Sequence, residues 1–210
     1  MARPAGGYKT KDGVKVPGVT TVIEQWGINK RALNWYWWDQ GRQGAEWNKP
    51  LEKEAALGTL IHSWIESELR GLPMPIIPPE QKERAENAML GFYEWKDAMQ
   101  LEVTGSELPL VSDKYGFGGT IDYPVKIKGR RAILDLKSSR EIYIDHRVQL
   151  AAYGQLWNEC FPNDIAMGHH LLRVGKEDGG FAHHFWPSLN DEWEVFGHLL
   201  GLYELHRRLT

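Results

Sequence analysis

Asp122, Asp135 and Lys137 stand in the stretch GFGGTIDYPVKIKGRRAILDLK, residues 116–137, at a spacing that could do chemistry. Ile121, Tyr123, Val125 and Ile127 alternate before Lys128-Gly129, and Ala132, Ile133, Leu134 and Leu136 come after it, as in two short strands joined by a tight turn. If Lys128-Gly129 is a two-residue loop, pairing runs outward from it and sets Asp122 opposite Asp135. Cβ atoms of opposed residues are only about 4.5–5.5 Å apart, so two facing carboxylates repel unless a cation joins them. Lys137, two residues beyond Asp135, projects from the same face. Two acids and a lysine on one face offer a place for a divalent metal with a charged helper. Oxygen ligands of this kind suit Mg²⁺ or Mn²⁺ better than zinc. A solvated ion pair on a strand accounts for the same three residues. Glu94-Trp95-Lys96 shows that spacing alone is not enough, because in a helical pattern residues two apart diverge around the axis.

Partners must therefore come from neighbouring elements. Residues 51–70, LEKEAALGTLIHSWIESELR, read as an amphipathic helix on which Gly58, His62 and Glu66 recur every four residues and share one stripe. A glycine inside a good helix costs about 1 kcal/mol against alanine, and close approach of another group is the usual reason for one. His62 and Glu66 could then point at a metal; His62 could equally be a satisfied residue at the edge of the core. Ser138-Ser139-Arg140 closes the second strand, and Asp145 is expected as the N-cap of a helix running to about Cys160. On that helix Gln149 and Tyr153 share a face, where they can hydrogen-bond phosphate or orient a carboxylate ligand.

The remaining segments frame these. Residues 1–15 are polar and Gly-rich, expected as a loose arm or a first β-turn. Pro17-Gly18-Val19-Thr20-Thr21-Val22-Ile23 leads into a helix, with Thr20 or Thr21 as N-cap and Glu24 as a partial capping box. Residues 31–47 carry Trp35, Tyr36, Trp37, Trp38 and Trp47; a helix burying one side of that set explains them, and stacking of one or two on unpaired bases is the alternative. After Gly71, LPMPIIPPE is a connector; residues 80–102 form a second, acidic helix and Leu108 to Val111 a first strand, antiparallel to the next one. Residues 165–174 and 181–187 read as a hairpin carrying His169, His170, His183 and His184. Neighbours on a strand face opposite ways, so only one of each pair could reach a common ion, which argues against zinc. Ser188 is expected to open a C-terminal helix with Asp191 as capping-box partner, packing Trp193, Phe196, Leu199, Leu200, Tyr203 and Leu205 on the sheet.

The 210 residues suffice for one well-buried α/β core. Hydrophobic residues at 42% and charged residues at 25% are ordinary for a soluble protein. The single cysteine, Cys160, excludes a disulfide framework and a cysteine cluster for zinc or iron–sulfur. No apolar run approaches ~20 residues and no signal peptide is visible, so an intracellular protein without membrane association is expected. A net charge of −3 does not announce a nucleic-acid binder, yet residues 126–147 carry seven Lys or Arg against three acids, whereas 80–107 carry seven acids against three bases. Positive charge gathers around the candidate site, as a polyanionic substrate requires.

In order, the chain offers Gly58 to His62 on a helix, Gly119 to Asp122 on a strand, Asp135-Leu136-Lys137 on a strand, and Gln149 to Tyr153 on a helix. Together these resemble the PD-(D/E)XK nuclease superfamily, and within it the RecB-like branch, over about residues 16–160. The Pro-Gly-Val-Thr-Thr-Val-Ile segment is similar to the first-helix entry of phage and mitochondrial members. The resemblance implies an α/β fold with a mixed central β-sheet flanked by helices, a restriction-endonuclease-like α-β-β-β-α-β core, and an N-terminal helical, aromatic-rich lobe. A single domain spans 1–210: a helical part over 16–105, the catalytic sheet and Gln-Tyr helix over 106–187, and a C-terminal helix over 188–210. It further implies that His62, Asp122, Asp135 and the Leu136 carbonyl ligate one or two Mg²⁺ or Mn²⁺ ions. Lys137 then activates water, and Gln149, Tyr153, Ser138 and Arg140 hold the substrate strand or the ligands, with Glu66 behind them.

The expected activity is metal-dependent hydrolysis of DNA phosphodiesters, by an exonuclease acting on ends or single strands. The expected setting is phage or bacterial recombination, replication or repair in the cytoplasm, with a partner protein from those processes. Some RecB-like relatives use four cysteines for an iron–sulfur cluster; Cys160 alone cannot, which points to the cluster-free, phage-type branch. A sequence- or structure-specific endonuclease, and a module that grips nucleic acid without cutting, are the alternatives.

Overall fold

A computed structural model describes residues 4–26, 31–44 and 49–210, with the side chains at 31–33, 36, 37, 40 and 49–51 outside that description. In chain order the elements are strands β1 (Tyr8–Lys9) and β2 (Lys15–Val16), then helices α1 (Val19–Ile23), α2 (Arg31–Arg42), α3 (Lys49–Arg70) and α4 (Lys82–Met99). Strands β3 (Leu101–Val103), β4 (Leu108–Ser112), β5 (Phe117–Ile121), β6 (Tyr123–Ile127) and β7 (Arg130–Lys137) come next. Helix α5 (Ile144–Cys160), strands β8 (His169–Val174) and β9 (Phe181–Trp186), and helix α6 (Asn190–Leu209) complete the series.

Lys128 at φ 50° and Gly129 at φ 76° make the left-handed two-residue turn that right-twisted strands demand. From it β6 and β7 pair in the expected register, Ile127 with Arg130 out to Tyr123 with Leu134. The five-stranded sheet has the order β3-β6-β7-β8-β9. Only β7 and β8 are parallel, joined by the crossover helix α5. The fold is thus mixed α/β, a mixed sheet flanked by helices. On β7, Leu134 and Leu136 face Leu57, Ile61 and Ile65 of α3 and Ala88 and Phe92 of α4. Ile133 faces the other way, into a cluster with Val148 and Leu150 of α5. Because both faces are covered, β7 reads as an apolar run rather than a strict alternation.

Several expectations need correction. The first strand of the hairpin is broken at Asp122: β5 pairs with β4 in a separate two-stranded sheet, and β6 joins the main sheet. The helix expected to reach 102 stops at Gln100, whose φ of 48° ends it, and Leu101–Val103 becomes an edge strand inside the part expected to be helical. Of the two expectations for the N-terminal residues, the β-turn holds and the loose arm does not: residues 8–16 form the β1–β2 hairpin. Gly18, Tyr143 and Leu189 occupy the N-cap positions expected for Thr20 or Thr21, Asp145 and Ser188; Asp145 and Asp191 lie in the first turns instead. Helix α6 packs Phe196 and Leu199 against α1, α5 and Phe117 of β5, while Leu205 is exposed. Among the described residues no helix is long and apolar enough to cross a membrane.

Two glycines of β5 admit rings from both sides. A Cβ on Gly118 would collide with the Tyr8 ring, and one on Gly119 would come 2.8 Å from Tyr153 Cε1. Gly197 of α6, by contrast, has nothing within 4 Å of such a Cβ. Gly119→Ala is expected to destabilise the protein by about 1–3 kcal/mol, lowering the melting temperature roughly 2–4 °C per kcal/mol. Gly197→Ala is expected to raise it, since alanine gains up to about 1 kcal/mol in an open helical position. Thermal melts of the two variants check both signs.

Candidate functional site

Asp122 occupies the bend between β5 and β6, and Asp135 the inward face of β7; they are 2% and 0% exposed. The bend lets the Leu136 N–H donate to Asp122 Oδ2 at 3.2 Å, which ties the two strands beside the acids. Lys137 Nζ lies 2.7 Å from Asp135 Oδ2 and donates to Gln149 Oε1 at 2.9 Å. Gln149 Nε2 in turn donates to Tyr153 Oη at 2.8 Å. One turn of α5 thus carries both the residue that holds the lysine and the residue that holds the glutamine.

The electrostatics arise from burial. Burial pushes both carboxyls up; the Lys137 charge opposes this for each, and the Leu136 N–H helps for Asp122. Burial alone would lower Lys137, but Asp135 and Asp122 outweigh it and its pKa is raised. Two buried acids share one ammonium that is itself partly exposed. Asp122 Oδ1 and Asp135 Oδ1 are buried and have no hydrogen-bond partner.

His62 is half-buried on α3 and lines a cavity of about 510 Å³ together with Gly58, Leu136, Lys137, Ser138 and Arg140. Burial first, then Lys137, lowers its pKa to about 4, so it is neutral at pH 7. Gly58 gives α3 room to pass the strand end: a Cβ there would meet Ser138 Oγ at 3.1 Å. Arg140 is exposed at the cavity mouth. Glu66 shares the stripe but is engaged elsewhere, its Oε1 accepting from Arg70 at 2.7 Å and Ser106 at 3.2 Å. On the far side, Tyr153 lines a second cavity of about 250 Å³ with Tyr8, Gly18, Thr20 and Thr21.

Two ionisable groups escaped sequence reasoning. Glu107, between β3 and β4, acts electrostatically on Asp122 and His62, and its N–H donates to the Asp122 carbonyl at 2.9 Å. Nothing in its local sequence signals this. His146 interacts with Lys137 and Asp135; its place three residues before Gln149, on the same helical face, was the available signal. The four strand histidines disperse. His170 Nδ1 and His183 Nε2 share a hydrogen bond of 2.8 Å, the His169 ring lies against Gly154 of α5, and His184 stacks on Trp186. Trp35 and Trp38 of α2 are exposed, with the Arg42 guanidinium over Trp38, whereas the Tyr36 and Trp37 side chains and Trp47 lie outside the described residues.

The oxygen donors are of the type a hard divalent cation takes. The set combines two buried carboxylates, each with one oxygen lacking a partner, and a neutral imidazole on the facing helix. Among the described residues no three His, Cys, Asp or Glu side chains are grouped closely enough to hold a metal ion, so His62, Asp122 and Asp135 do not by themselves form a coordination shell. No protein-family model matches the chain, and no curated protein matches it significantly.

Asp122→Asn keeps an acceptor for the Leu136 N–H and removes one buried negative charge. Without divalent ions it is expected to melt no lower than the wild type, with a gain of up to about 3 kcal/mol. Added Mg²⁺ or Mn²⁺ is expected to stabilise the wild type and not the variant, as melts with and without metal would reveal. Acid sensitivity has a separate source. Burial lowers His170 from 6.5 to about 4, so the folded state binds fewer protons than the unfolded one between those values. Its contribution is intact above about 6.5 and lost as pH falls towards 4. His170→Phe should flatten the fall of melting temperature over that range without abolishing it, because burial also lowers His62, His146, His169 and His183.

Proposed function

We propose that this chain is a metal-dependent deoxyribonuclease of the PD-(D/E)XK superfamily, in the cluster-free RecB-like branch, acting as an exonuclease on DNA ends or single strands. The observation that carries this reading is the buried line Asp135–Lys137–Gln149–Tyr153, with Asp122 alongside and His62 across the cavity. The run α3, β4, β5/β6, β7, α5, β8, with α4 and β3 inserted, supports a restriction-endonuclease-like α-β-β-β-α-β core.

Asp122, Asp135, the Leu136 carbonyl and His62 would hold Mg²⁺ or Mn²⁺, which lowers the pKa of water and neutralises a phosphate oxygen when bound. The remaining work falls to the chain's own residues. Lys137 places a full positive charge beside the acids, where it can orient the attacking water and stabilise the charge that develops on phosphorus-bound oxygen. Gln149 holds the ammonium at this position, and Tyr153 fixes the glutamine, so Lys137 needs little reorganisation during reaction. His62, neutral at pH 7, offers a lone pair without competition from a proton. Ser138 and Arg140 line the cavity mouth where the strand enters, and Glu66 braces α3 against the β3–β4 loop through Ser106. Exposed Trp35 and Trp38 offer faces on which unpaired bases can stack. Such an enzyme belongs with recombination, replication or repair, and with a partner from those processes.

Incubation of end-labelled single- and double-stranded DNA with Mg²⁺, Mn²⁺ or EDTA tests the proposal. Metal-dependent shortening from one end is expected, falling at least about 10²-fold in Asp135→Ala and in Lys137→Ala. Undiminished cutting by either variant, or cutting in EDTA, overturns the assignment. Internal fragments would shift it from exonuclease to endonuclease.

A further inference from the structure

The site cavity continues into a larger one, of about 570 Å³, past the ends of β7 and β8; the two share Glu54, Ser139, Arg140 and Lys176. Most charges in its wall are already committed. Glu54 accepts from Arg84 at 2.7 Å and from Lys176 at 2.6 Å, Glu177 accepts from Arg84 at 2.8 Å, and Asp178 accepts from the Gly180 N–H at 3.0 Å. Arg140 and Arg173 differ: among the described residues neither side chain has a hydrogen-bond or ion-pair partner. Arg173 is half-buried, and a guanidinium drawn out of water without an anion is unfavourable. In the parallel β7–β8 register Arg173 pairs with Lys137, so it rises one strand away, about 4.8 Å, from the catalytic lysine. Arg140 lies three residues beyond Lys137, at the boundary of the two cavities.

We propose that Arg140 and Arg173 form a phosphate subsite, gripping the backbone phosphate next to the scissile one and leading the strand along the ends of β7 and β8. Planar guanidinium groups suit this because they bind phosphate oxygens two at a time. Contacts confined to the backbone position a strand without reading its bases, so the subsite is indifferent to sequence. It rests on the nuclease reading for which phosphate is cut, but its binding test is independent of cutting.

The test is anisotropy of a fluorescein-labelled oligothymidylate in EDTA over a salt series. The proteins compared are the wild type, Arg140→Gln, Arg173→Gln, the double variant, and Arg208→Gln at the exposed end of α6. Each subsite variant is expected to bind roughly tenfold more weakly and to lower the slope of log affinity against log salt by about 0.7. Arg208→Gln should change affinity less than twofold. Melting curves establish that the variants are folded, and Arg173→Lys, which keeps the charge, should recover part of the loss. Unchanged affinity and slope in the double variant overturn the subsite, whatever the wild type cuts. An equal loss in Arg208→Gln also overturns it, since net charge would then explain the effect. Weakened variants beside a wild type that cuts nothing support the subsite and overturn the nuclease reading instead.

Discussion

Two buried acids share one ammonium at the wall of a cavity, and the architecture around them answers that imbalance. A lone buried ion is tolerated only with close partners of opposite charge and full hydrogen bonding. Lys137 provides one charge, the Leu136 N–H one hydrogen bond, and Gln149 fixes the ammonium, yet one oxygen of each acid is left over. A centre arranged in this way is short of positive charge. On the proposed reading that shortage is the affinity for a divalent ion.

The geometry that holds the acids together comes from backbone choices rather than from the acids. The turn at Lys128-Gly129 sets the β6–β7 register, and the bend at Asp122 turns its carboxylate towards β7 while sending β5 into another sheet. Glycines at 118 and 119 then let Tyr8 and Tyr153 close on β5 from opposite sides. The crossover helix α5 has two tasks: it buries Val148, Leu150 and Leu156 over the sheet and presents Gln149 to Lys137.

The central hairpin was legible in the sequence because few turns join strands by two residues, so Lys128-Gly129 dictates every pair outward. Gln149 and Tyr153 were legible because four residues make about one helical turn. The bend at Asp122 was not: Ile121, Tyr123 and Val125 keep alternating through it, and a change of sheet leaves no mark on that pattern. Strand β3 lay hidden because Gln100, not a glycine, ends α4 in the left-handed conformation. The pairing of Lys137 with Arg173 depends on a parallel register across a helical crossover, which no local pattern encodes. Glu107 likewise reaches the site through a loop whose course is set by tertiary contacts.

The hydrogen bond between Tyr8 Oη and Thr120 Oγ1 joins residues 112 apart in the chain. The β6–β7 hairpin needs only a local closure and can form early, whereas this contact must close a long loop against chain entropy. The turn that sets the β6–β7 register is local, whereas the walls that bury the acids come from elements far apart in the chain. During synthesis, a ribosome-bound fragment ending soon after Lys137 holds all three central residues but lacks α5, and with it the glutamine that restrains the lysine. Gln149 and Tyr153 reach the lysine only through the crossover helix that follows β7, so the restraint on Lys137 depends on a segment later in the chain than the acids.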